Sequence, residues 1–129
     1  MFCDIIDLLQ GERDFEFGGH IMIIDLHIHT EFSCDSEADM QEYLINGIQQ
    51  NMNAVCFTDH VDLNENDYGY NYYDAKSFFE KYDKLKNIYK EQIIMLAGIE
   101  FGEPHLYYSE LKKLSEYPYD YIIGSIHWI

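Results

Sequence analysis

Four short apolar runs, at residues 23–27, 54–58, 93–99 and 121–126, are separated by stretches with helical periodicity. This alternation constrains the fold most. Strands joined by helical crossovers pair in parallel, and helices cover such a sheet, so its strands must be apolar. The chain therefore reads β-α-β-α-β-α-β and belongs to the α/β class. After the first run, Ser36 with Asp39 three residues on has the form of a capping box. Met40, Leu44 and Ile48 follow at helical spacing, and Ile45 widens that face. A second helix is expected from about Asp74, with Phe78, Phe79, Tyr82, Leu85 and Ile88 or Tyr89 on one side. A third covers 105–116, with Tyr107, Leu111 and Leu114 facing in, and ends at Tyr117-Pro118. A loop rich in Asn and Tyr spans 62–73. No internal repeat or linker interrupts the pattern.

Each apolar run ends in ionisable residues. The first ends in Asp25-Leu26-His27-Ile28-His29, the second in Thr58-Asp59-His60, the third in Gly98-Ile99-Glu100 and the fourth in Ser125-Ile126-His127. In parallel α/β folds the carboxyl ends of the strands lie on one side, where sites form. Strict alternation puts Asp25, His27 and His29 on one face and Ile24, Leu26 and Ile28 on the other. Taken singly, each group has a plain explanation. A His-x-His pair often binds nothing, Asp59 and His60 could bond each other, and Gly-Ile-Glu alone means little. Jointly, imidazoles and a carboxylate at successive strand ends point to a divalent cation such as Zn²⁺, Mn²⁺ or Fe²⁺.

Charge and cysteine content narrow the partners. The 129 residues suffice for one domain with a core, and the formal charge is −16. Such a balance disfavours nucleic acid and anionic membranes as partners. Between Asp14 and Ala75 there is no Lys or Arg but there are 13 Asp and Glu, and Arg13 is the chain's single arginine. Handling an anionic substrate in this region would require positive charge from elsewhere, with bound cations the obvious source. Three cysteines (Cys3, Cys34, Cys56) in no regular spacing argue against a disulfide framework and for a reducing, cytoplasmic setting. Residues 1–21 are acidic and join no alternation. They read either as an extension ahead of a functional start at Met22 or as a short helix over 4–10 packing on the domain.

The motifs "DLHIHT", "FTDH", "GIEFG" and "IIGSIHWI", in that order and each at a strand end, resemble those of the polymerase-and-histidinol-phosphatase (PHP) superfamily. "GIEFG" and "DYIIGSIHWI" look most like the histidinol-phosphatase branch. The resemblance covers 22–129 and implies the N-terminal part of a PHP domain, the first half of a distorted TIM-like barrel of seven βα units holding three metals. Carried over by motif, His27 and His29 would hold the first metal, Glu100 would bridge the first and second, and His127 would hold the second. His60 and Asp35 would hold the third, Asp35 standing where several relatives have His. The family's later His, its Asp-x-His pair and its phosphate-binding basic residues have no counterpart here, so an open sheet edge and an incomplete site are expected.

The resemblance implies hydrolysis of a small phosphomonoester, L-histidinol phosphate above all, a step of histidine biosynthesis. Water activated by the bound metals would be the nucleophile. Asp25 and Asp59 are expected either to steer the imidazoles or to cap strand ends. Tyr70 belongs to a loop that could wall the substrate or simply pack its tyrosines on the surface. Trp128 could line the pocket or join the core. Cys34 reads as a loop thiol before a ligand, Cys56 as buried, and His20 and His105 as solvated. Three rivals remain: an amidohydrolase, which would not combine Thr-Asp-His with Gly-Ile-Glu; a PHP exonuclease or polymerase-associated domain, disfavoured by the charge; and a non-catalytic metal-binding fragment.

Overall fold

The computed structural model describes residues 22–128. The two readings of 1–21, and His20 with them, lie outside the described residues. Four strands form one parallel sheet in chain order: β1 (Ile24–Ile28), β2 (Ala54–Val61), β3 (Ile94–Gly102) and β4 (Tyr121–Ser125). Helices α1 (Met40–Gln49), α2 (Ala75–Tyr89) and α3 (Tyr108–Leu114) connect them. Sequential parallel order with helical crossovers is the arrangement from which a βα barrel opens, as the sequence implied. β1 and β4 are the edges of the described sheet. Among the described residues no helix is long and apolar enough to cross a membrane.

β2 and β3 are longer at their carboxyl ends than the apolar runs suggest, because they continue pairing through Val61 and Phe101, whereas β4 ends at Ser125. On β3, Met95 and Ala97 join Val55, Phe57, Met40, Leu44, Phe78, Phe79, Tyr82 and Leu85 in the main core. Ile99 and Phe101, of the same parity, join Val61 in a second cluster against Tyr107, Leu111 and Leu114. One face of the sheet is thus given to helices. The even residues of β3 point the other way, and Glu100 among them is the Cα partner of His60. Ile45 and Ile88 do not widen their helix faces; they are exposed, and Gly47 fills the inner position of α1 against Ile93.

Two local expectations fail for physical reasons. Ser36 is not the cap of α1. Its hydroxyl donates to the His29 carbonyl (3.0 Å) and accepts from Ala38 N, holding the loop after β1. Asp39 caps the helix instead, accepting from Gln41 N (2.8 Å) and Glu42 N (3.3 Å). Its other oxygen takes a hydrogen bond from Lys81 of α2, which also pairs with Glu31. Lys81, assisted by the backbone bonds and opposed by burial, holds the Asp39 carboxyl below its ordinary range. Asp39→Ala should cost roughly 1 kcal/mol from the lost cap alone, measurable by urea unfolding; a loss near zero would mean that another group caps α1.

The alternation on β1 also breaks. Its register with β2 shifts by one residue between Asp25 and Ile28. Asp25 consequently lines a hollow with Ile28, Val55 and Tyr43 on the helix side, away from His27 and His29, whose rings face Glu100.

Candidate metal centre

At the carboxyl ends of the strands, Nε2 of His27 and Nε2 of His29 lie 3.0 Å apart and face one oxygen, Oε2 of Glu100, at 2.8 and 3.1 Å. Two nitrogens this close cannot both direct lone pairs at each other. One proton relieves one of the three contacts, whereas a divalent cation accepts all three donors, so the donor set fits a metal. The other oxygen of Glu100, Oε1, faces Nε2 of His127 at 3.5 Å, and Nε2 of His60 stands 3.7 Å from Oε2. Burial works against ionisation of Glu100, but the His27 hydrogen bond and the nearby His60 and His29 outweigh it and bring its pKa below the usual value.

Asp35 meets the same cluster from the loop after β1. Its Oδ2 lies 3.0 Å from Nδ1 of His29 and 3.7 Å from Nε2 of His60. Ser33 holds it in place, donating to Asp35 (2.6 Å) while accepting from His60 N (3.1 Å). Three sets could therefore each hold a cation: His27, His29 and Glu100; His29, Asp35 and His60; His60, Glu100 and His127. All six residues expected as ligands fall within these sets. A fourth set, Asp62, Asp67 and His127, was not foreseen.

Asp25 and Asp59 serve the backbone beside the histidines. Asp25 accepts from His27 N (3.1 Å). Asp59 accepts from Thr30 N (2.5 Å) and Thr30 Oγ1 (2.9 Å), fixing the chain just past His29. Burial pushes the Asp59 carboxyl up to about 6 against those bonds. The carboxylate that stands behind imidazole rings is Asp62, facing Nδ1 of both His60 and His127. A spacing signal existed, since His60 and Asp62 are two apart, the separation at which side chains of extended chain point the same way. Glu103 was also missed. It is buried, has φ 49°, and accepts from His127 N (2.5 Å) and Trp128 N (3.1 Å), latching the end of β4.

Trp128 is half-exposed, and its indole donates to Asp67 (2.9 Å), tying the end of β4 to the 62–73 loop. In that loop Tyr68, Tyr70 and Tyr72 are exposed, whereas Tyr73 turns into the core and bonds Tyr119 (2.9 Å). Burial, then the Asp62, Asp35 and Asp67 charges, push the Cys34 thiol up to about 11, and Cys34 lies in none of the ligand sets. Cys56 is fully buried and His105 is exposed.

Residues 25–128 match the PHP domain family. The chain is 33% identical over 107 residues to a probable histidinol-phosphatase of Clostridium acetobutylicum, covering 82% of this chain and 40% of that protein. It is 28% identical over 109 residues to the histidinol-phosphatase of Lactococcus lactis subsp. lactis, covering 82% and 39%. It thus spans about 40% of the length of these curated relatives. A crystal structure of histidinol phosphate phosphatase from L. lactis, complexed with zinc, L-histidinol and phosphate, superposes with a TM-score of 0.78 at 26% identity. That match covers 85% of this chain and 42% of the other.

Proposed function

Because the chain belongs to the PHP domain family, we propose that it supplies the metal-binding mouth of a phosphatase for a small phosphomonoester, with L-histidinol phosphate the leading substrate. One observation carries the reading: the two oxygens of Glu100 face two different sets of imidazoles. A carboxylate so placed is suited to bridging two cations. In this reading His27 and His29 hold the first, His127 the second, and His60 with Asp35 the third. Zn²⁺, Mn²⁺ and Fe²⁺ all suit imidazole and carboxylate donors. When bound, such cations supply Lewis acidity toward phosphoryl oxygens and make water acidic enough to ionise near neutral pH.

The chain's own residues do the rest. Glu100 on β3 faces Nε2 of His27 and His29, Asp35 faces Nδ1 of His29, and Ser33 and Asp59 hold the loop that carries Asp35. Asp67 anchors Trp128 at the rim, where the indole and Tyr70 can bound a small imidazole-bearing substrate. Among the described residues, Lys76 pairs with Glu80, and Lys81 with Glu31 and Asp39, all outside these sets. The phosphoryl charge would then be met by the cations.

Purified protein loaded with Zn²⁺ or Mn²⁺ should release phosphate from L-histidinol phosphate well above its rate on glycerol phosphate, and EDTA should abolish release. Cation uptake with no phosphate release from either ester would favour a non-catalytic metal-binding role. Absence of uptake in equilibrium dialysis would sink the metal reading itself.

A further inference from the structure

We infer that Asp62 is a positioning residue that sets the tautomer of two imidazoles at once, an inference that rests on the metal-centre reading. Its side chain is 3% exposed. Oδ2 lies 3.4 Å from Nδ1 of His60, and Oδ1 lies 3.3 Å from Nδ1 of His127. Both rings turn Nδ1 toward this one carboxylate and Nε2 toward Glu100. An imidazole that donates from Nδ1 keeps its lone pair on Nε2, the form a cation requires. Nδ1 of His60 and Oδ1 of Asp62 are both buried and make no closed hydrogen bond. Each has one suitable partner within 3.4 Å, across the Asp62–imidazole gap. Buried polar groups are rarely left unpaired, so a small approach that closes both contacts is favoured.

The space around this carboxylate is made by two glycines. A Cβ at Gly102 would collide with Oδ1 of Asp62, and a Cβ at Gly69 would stand 2.9 Å from Oδ2. The Asp62 backbone is held independently, its carbonyl accepting from Asn71 N at 3.0 Å. A residue needed only for the loop would use that backbone bond and would require neither the carboxylate nor the clearance. Asn in place of Asp can accept from only one Nδ1–H. Its amide would face the other ring with a donor, forcing that ring to carry its proton on Nε2.

Long-range ¹H–¹⁵N spectra of metal-free protein at about pH 8 should show His60 and His127 protonated at Nδ1 and bare at Nε2. In Asp62→Asn at least one of these rings should switch, and Zn²⁺ affinity, read by competition with a chromophoric chelator, should fall roughly 10–100-fold. Gly102→Ala, which keeps the carboxylate but displaces it, should reproduce both changes. Wild-type protein with either ring protonated at Nε2 overturns the inference without needing any variant. So does an Asp62→Asn protein that retains both Nδ1–H tautomers or wild-type Zn²⁺ affinity. Wild-type protein that takes up no Zn²⁺ overturns the metal reading and the purpose of the clamp together, whereas the variant outcomes strike the clamp alone.

Discussion

If Glu100 bridges two cations as proposed, Glu100→Gln should lower bound Zn²⁺ per chain and weaken what remains by more than the roughly 100-fold that loss of a supporting residue can cost. The substitution preserves size and leaves one carbonyl oxygen where two carboxylate oxygens stood. Oε2 now faces His27 and His29, and Oε1 faces His127. An amide can keep at most one of these relations, and its NH₂ group repels a cation in the other. Glu100→Ala should lose both. Glu100 is the backbone partner of His60 within a central strand, so the sheet should survive either change, and circular dichroism provides the control. Metal content equal to wild type in both variants, measured after dialysis, would refute the bridge.

Phe78→Ala should have the largest effect on stability, about 3–5 kcal/mol in urea unfolding, against a total of roughly 5–15 kcal/mol for a domain. Phe78 is fully buried on α2. Its ring centroid lies 5.2 to 5.8 Å from those of Phe79, Phe32, Tyr82 and Tyr73, and 6.4 Å from that of Tyr119. Removing it opens a cavity among rigid rings that cannot collapse to fill it. Tyr73 closes the 62–73 loop, so the loss should spread to the rim of the metal centre. A cost below about 1 kcal/mol would mean that the aromatic cluster repacks.

Much of this was legible because apolar runs and strand-end polarity are local signals. The four strands, the α2 core face and the convergence of His27, His29, His60, Glu100 and His127 all follow from residue type and order. Geometry that depends on neighbours was not legible. The register shift on β1 arises from pairing with β2, and nothing in residues 23–29 alone announces it. Ser36 and Asp39 both suit a cap, and the choice fell to Asp39 because the loop that carries Asp35 uses the Ser36 hydroxyl. Asp62 lay hidden because β2 was expected to stop at Thr58. Glu103 acts through its backbone turn and a contact 24 residues away, beyond any motif.

The strand order also suits assembly in chain order. Each strand pairs with the one that precedes it in the chain, so the sheet can grow outward as the polypeptide is synthesised, N-terminal elements first. His27, His29, His60 and Glu100 all belong to the portion completed by β3, and His127 emerges 27 residues after Glu100. The carboxylate that both imidazole sets face therefore precedes His127 in the chain, on a strand that pairs with the whole length of β2. Glu103, which follows β3 directly, gives the backbone N–H groups of His127 and Trp128 their acceptor once β4 has paired.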